Sequence, residues 1–109
     1  MIKMQIVIDD DRVARETPYN VNKIHQVLDD YMVGKLGLVK ASDDFYLGTG
    51  KGSDFSKFGI AFTTLRKKEW FARSVKTWLY FNSDASDDPE DFVIEDFAEY
   101  FDVKQSSVA

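Results

Sequence analysis

Asp54-Phe55-Ser56-Lys57-Phe58-Gly59-Ile60-Ala61-Phe62-Thr63-Thr64-Leu65-Arg66-Lys67-Lys68 can be read with two periods. Phe55, Phe58, Phe62 and Leu65 recur at the spacing of one helix face, with Ser53 placed to cap it. Phe58, Ile60, Phe62 and Thr64 alternate as a strand would, and Gly59 costs a helix about 1 kcal/mol relative to alanine. The choice sets the balance of helix and strand in the whole chain. We favour the helix, because all four positions of the stripe are filled.

Outward from this stretch the elements alternate. Before it, Gly48-Thr49-Gly50-Lys51-Gly52-Ser53 is a loop by composition. Leu38-Val39 and Phe45-Tyr46-Leu47 flank a polar Ser42-Asp43-Asp44 turn, as in a short hairpin. After it, Trp70 and Phe71 fit a helical turn. Residues 75–81 read as a strand, with Val75, Thr77, Leu79 and Phe81 opposite Lys76, Trp78 and Tyr80. At the start, Ile2, Met4, Ile6 and Ile8 alternate as one strand face, and Asp9-Asp10-Asp11 should end that strand in a turn. Residues 12–20 read as a connector, since Pro18 opposes a helix there. Residues 21–36 form an amphipathic helix, with Asn20 as N-cap and Gly37 just past its end. Residues 89–101 predict another helix, with Asp88 as cap and Pro89 at its first position. The expected fold is α/β or α+β: a three- to four-stranded sheet with about three packed helices. Residues 1–103 make one compact domain, and the polar tail 104–109 frays.

Composition narrows the function. The chain has 109 residues, 44% of them hydrophobic, and 16 are aromatic (9 Phe, 5 Tyr, 2 Trp). That is enough apolar material for a core. With no cysteine, disulfides, thiolate metal sites and Cys nucleophiles are excluded; one histidine leaves no His-rich metal site. No segment approaches the roughly 18 apolar residues of a membrane span, and the N-terminus has no small-residue cleavage site. A cytoplasmic location without membrane contact is the expectation. The net charge of -5 hides a segregation. Residues 51–76 hold 7 basic and 2 acidic groups, net +5, whereas residues 77–109 hold 1 basic and 9 acidic, net -8. Complementary fields of this kind steer association with partners.

Three clusters invite chemistry. Ile6-Val7-Ile8-Asp9-Asp10-Asp11 resembles the opening of response-regulator receiver domains, where paired acids bind magnesium. The resemblance covers about ten residues. Asp54 follows a glycine loop instead of an apolar strand, and neither Pro18 nor Pro89 follows a lysine, so the rest of that pattern is missing. Gly48 to Ser53 suggests a phosphate cradle, with Lys51 and the Ser53 amide as anion contacts, but it fits neither the GxxxxGK[ST] nor the GxGxxG spacing. The acids from Asp84 to Glu95 count like a calcium loop, but its turn glycine would fall on Pro89.

His25, the only histidine, is spaced to pair with Asp29 on its helix. Arg66-Lys67-Lys68-Glu69-Trp70-Phe71-Ala72-Arg73 interleaves bases with rings, the composition of a single-strand nucleic-acid platform. The pI near 4.7 opposes that reading. Trp78 and Tyr80, on one strand face with Lys76, would form an interface row if no helix covered them.

No set of catalytic groups or cofactor motif emerges. The expectation is a small non-catalytic protein-interaction or regulatory domain. Its contacts would be Trp78, Tyr80, Lys76, Trp70, Arg66 and Arg73, and a homodimer through Trp78 and Tyr80 is its simplest form. The alternative is a metal-dependent phosphoryl or phosphate-ester enzyme using Asp9, Asp10 and Asp11, with Lys51 on the phosphate. Nucleic-acid binding through residues 66–73 ranks third.

Overall fold

A computed structural model describes residues 2–42, 44–50, 52–82 and 93–100. Strand β1 (Ile2–Ile8) runs through the middle of a five-stranded sheet of order β2-β3-β1-β4-β5, antiparallel at every pairing. The fold is therefore α+β, with one or two strands more than the sequence suggested. Ile2, Met4, Ile6 and Ile8 are all buried, as their alternation requires.

The three acids after β1 do not form a turn. Asp9 caps α1 (Asp10–Glu16), its Oδ1 accepting from the Arg12 amide at 3.1 Å, and Asp10 and Asp11 lie in the first turn. Carboxylates suit that end of a helix, where backbone N–H groups lack partners. The expected connector thus contains a helix, and Pro18 lies beyond its end without breaking it. The next helix, α2 (Val21–Asp29), is capped by Asn20 as expected and continues into a π-helical turn, Asp30–Lys35. Gly37 closes it at φ 75°, its amide bonded to the Val33 carbonyl.

The hairpin is β2 (Val39–Lys40) and β3 (Phe45–Leu47). The ambiguous stretch is helical: α3 (Asp54–Leu65) buries Asp54, Phe58, Ala61 and Leu65. Phe55 falls off that face and is 64% exposed. A short α4 (Glu69–Ser74) carries Trp70 and Phe71 into β4 (Val75–Asn82).

Two readings of the C-terminal half are corrected. First, β4 meets β1 with a bulge: Val7 pairs with Thr77, but Ile8 pairs with Val75. The extra residue, Lys76, is exposed, and Val75, Trp78 and Tyr80 then share the buried face. Lys76 and Trp78 are on different faces. Second, Val93–Asp96 of the expected last helix is strand β5, paired with residues 79–82 of β4, and Phe97–Tyr100 forms a 3-10 turn. The β-branched pair Val93-Ile94 suits a strand, and the edge of β4 offers ladder hydrogen bonds there. Asp88, Pro89, Lys51 and the tail 104–109 lie outside the described residues.

The helices cover one face of the sheet. Val13, Ile24, Leu28, Met32, Phe58, Leu65 and Phe71 pack there against β1, Trp78 and Tyr80. On the other face Lys3 sits 5.2 Å from the rings of both Phe45 and Phe81.

Candidate functional site

Helix α3 packs on β4 through Phe58 against Tyr80 and Phe62 against Trp78, and a groove of about 500 Å³ lies between this helix, β4 and β5. Phe55, Phe58, Gly59, Phe62 and Arg66 form its helical wall; Tyr80 and Asn82 of β4, Glu95 of β5 and Phe97 form the rest. The floor is an aromatic stack. Phe97 lies 5.2 Å from Tyr80 with rings nearly parallel, and 4.4 Å from Phe62. Below them Trp78 meets Phe97 and Phe71 edge-on, at 5.4 and 4.9 Å, and its indole N–H donates to Met4 Sδ at 3.2 Å. Contacts of this geometry add to area burial and hold the rings in place. At the rim the Arg66 guanidinium lies 5.1 Å from the Phe62 ring, with Glu95 across from it on the sheet edge. The result is an apolar trough with a polar border, the usual build of a binding site.

Of the six expected contact residues, the groove brings together only Arg66 and Tyr80. Trp78 is fully buried and Tyr80 is 8% exposed, so neither offers the expected open row. Helix α3 and Phe97 cover them. Trp70 lines a second, smaller groove of about 240 Å³ with Tyr31, Lys35 and Lys68. Arg73 reaches back to α1, donating to the Glu16 carbonyl at 3.2 Å and stacking on Tyr19. Arg12 returns the contact, donating to the carbonyls of Ala72, Arg73 and Val75 at the end of α4. The basic residues of 66–73 therefore point to different sides and make no continuous strip.

The acids expected to hold metal are also separated. Asp9 caps a helix, Asp10 Oδ1 lies 2.7 Å from His25 Nε2, and Asp11 is exposed. His25 thus pairs with Asp10 instead of Asp29, because α1 packs beside α2. Among the described residues no three His, Asp or Glu side chains converge as a metal site.

The glycine loop already holds an anion of its own. The Asp54 carboxylate accepts from the Thr49 amide at 2.9 Å, the Gly50 amide at 2.8 Å and the Thr49 hydroxyl at 3.0 Å. Those bonds, the Thr49 amide foremost, hold its carboxyl below the usual range. Ser53 precedes α3 without a side-chain cap bond and is exposed.

A third polar knot ties α2 to the hairpin. Asp29 accepts from the Tyr46 hydroxyl and from Lys40 Nζ at 2.9 Å. Partial burial pushes its carboxyl up, but the Tyr46 and Lys40 bonds outweigh this and the net direction is down. Burial, then the Asp29 bond and charge, push the Tyr46 phenol well above its ordinary value.

Seven of the nine groove residues carry no site signal in the sequence: Phe55, Phe58 and Phe62 fit a helix stripe, Glu95 fits a calcium-like count, Gly59 reads as a helix defect, and Asn82 and Phe97 fall in no motif. A glycine in the middle of a helix is the available signal. Comparison of the chain with protein families, curated proteins and solved structures gave no match in any of the three.

Proposed function

We propose that the chain is a non-catalytic binding domain and that the trough between α3 and β5 is its contact surface. One observation carries the reading: Phe55 stands 64% exposed at the mouth of a trough floored by Phe62, Tyr80 and Phe97. An exposed ring beside a preformed aromatic pocket is the pattern of an interface hot spot. The trough is lined by one cation, Arg66, and one carboxylate, Glu95, among the described residues, with no nucleophile–base pair beside them. The metal-enzyme reading loses support, since Asp9 and Asp10 have structural partners. A homodimer through Trp78 loses support because that ring is buried.

The test is a nitrogen-15 correlation spectrum of the protein against a library of small apolar fragments. Amide shifts should concentrate in residues 55–66, 80–82 and 95–97. A parallel titration with magnesium should leave residues 9–11 unmoved. Fragment shifts scattered over the surface, or saturable magnesium shifts at 9–11, would overturn the proposal.

A further inference from the structure

Strand β5 is the last in the sheet order, and among the described residues it pairs with β4 alone. An edge strand presents a row of main-chain donors and acceptors to anything extended that lies beside it. The trough reaches this strand, because Glu95 lines it, pairs with Tyr80 and shares its face. Glu95, Asp96 and Glu99, on and just after this strand, are all exposed, and Arg66 is the one cation lining the trough among the described residues.

Gly59 supplies an independent observation. It sits mid-helix, exposed, and lines the trough. A Cβ at this position would meet nothing within 4 Å, and the residue's φ is not positive. Nothing within the described fold therefore requires glycine, although it weakens the helix. A bare backbone here does leave room for something lying against α3.

We infer that the trough takes an extended, basic segment of a partner protein that adds to the outer edge of β5. The inference rests on the trough being the contact surface. In an added strand every second side chain falls on the face shared by Tyr80 and Glu95. One large apolar side chain enters the aromatic trough beside Gly59, and a lysine or arginine near it meets Glu95. The same acids oppose pairing of β5 with a second copy of itself, since like charges would face each other.

The experiment is selection of phage-displayed random dodecapeptides on the wild-type protein, with depletion on Gly59→Trp, which fills the trough. Its folding is checked by thermal melting, and Gly59→Leu serves as a second filled variant. The expected winners carry net positive charge and a large apolar residue. They shift the amides of residues 94–97, and they bind Glu95→Lys roughly tenfold or more weakly, as loss of a close charge pair allows. Winners that depend on an open Gly59 but are acidic, helical or indifferent to Glu95→Lys would overturn this inference and leave the trough as a binding surface. Concentration-dependent shifts of the same amides in the protein alone would do likewise, in favour of a second copy. No winner sensitive to Gly59→Trp or Gly59→Leu would overturn both.

Discussion

Gly48 stands so close to Asp54 that a Cβ on it would lie 2.5 Å from the Oδ2 atom and 2.6 Å from the carboxyl carbon. The carboxylate is fixed there by three hydrogen bonds from residues 49 and 50. Gly48→Ala must therefore displace the Asp54 side chain that organises the entry to α3. We expect a loss of about 1–3 kcal/mol, as for other overpacked sites. Urea denaturation of the variant measures it. An unchanged midpoint would show that the loop relaxes freely.

Acid should weaken the fold through Asp29 and Asp54. Both carboxyls are held below the ordinary value of 3.8. The unfolded chain then binds more protons than the folded one near that pH, so stability rises with pH across the window. The contribution is complete above the ordinary value and disappears as pH falls through the folded values. Urea midpoints measured from pH 2 to pH 6 should climb and then level. In Asp29→Asn the climb should be shallower, because one of the two groups no longer titrates.

Gly59→Ala should stabilise the protein. The new methyl meets nothing within 4 Å, and alanine is favoured over glycine in a helix interior by about 1 kcal/mol. A rise in Tm of roughly 4–8 °C is the expected reading for a domain of this size. A fall would mean that the added Cβ clashes after all.

Trp78 and Phe55 should separate stability from binding. Trp78→Ala empties the centre of the core and should cost about 3–5 kcal/mol, a large share of the total stability of a small domain. Phe55→Ala removes an exposed ring and should change stability by about 0.5 kcal/mol or less, while weakening whatever occupies the trough. Melting curves of the two variants check this directly. Similar losses in both would place Phe55 in the core.

Much of the architecture could be read from period and capping. Ile2 to Ile8, the Asn20 cap, Gly37, the hairpin and α3 all carry local signals that the tertiary structure agrees with. The errors share a cause, which is that partners distant in sequence decided the outcome. Asp9 to Asp11 fit a turn or a helix start equally well until α1 finds α2 and α4. Val93 to Asp96 fit the helix expected over residues 89–101 until β4 presents its edge. The single-residue bulge at Lys76 leaves no mark in the composition, yet it decides which rings face inward. The trough was the least legible feature, because it joins α3 to residues some 30 positions later, and Phe55 is indistinguishable from a core residue by spacing alone.

The central position of β1 has a consequence for synthesis. It leaves the ribosome before either neighbour exists, since β3 begins at residue 45 and β4 at residue 75. At about 5–20 residues per second, its main partner follows on the order of 4–14 s later. For that interval Ile2, Met4, Ile6 and Ile8 form an apolar ribbon with one face and both edges exposed. The nascent chain is then most vulnerable at this strand. Slow translation between residues 8 and 75 should lower the soluble yield more than the same delay placed later.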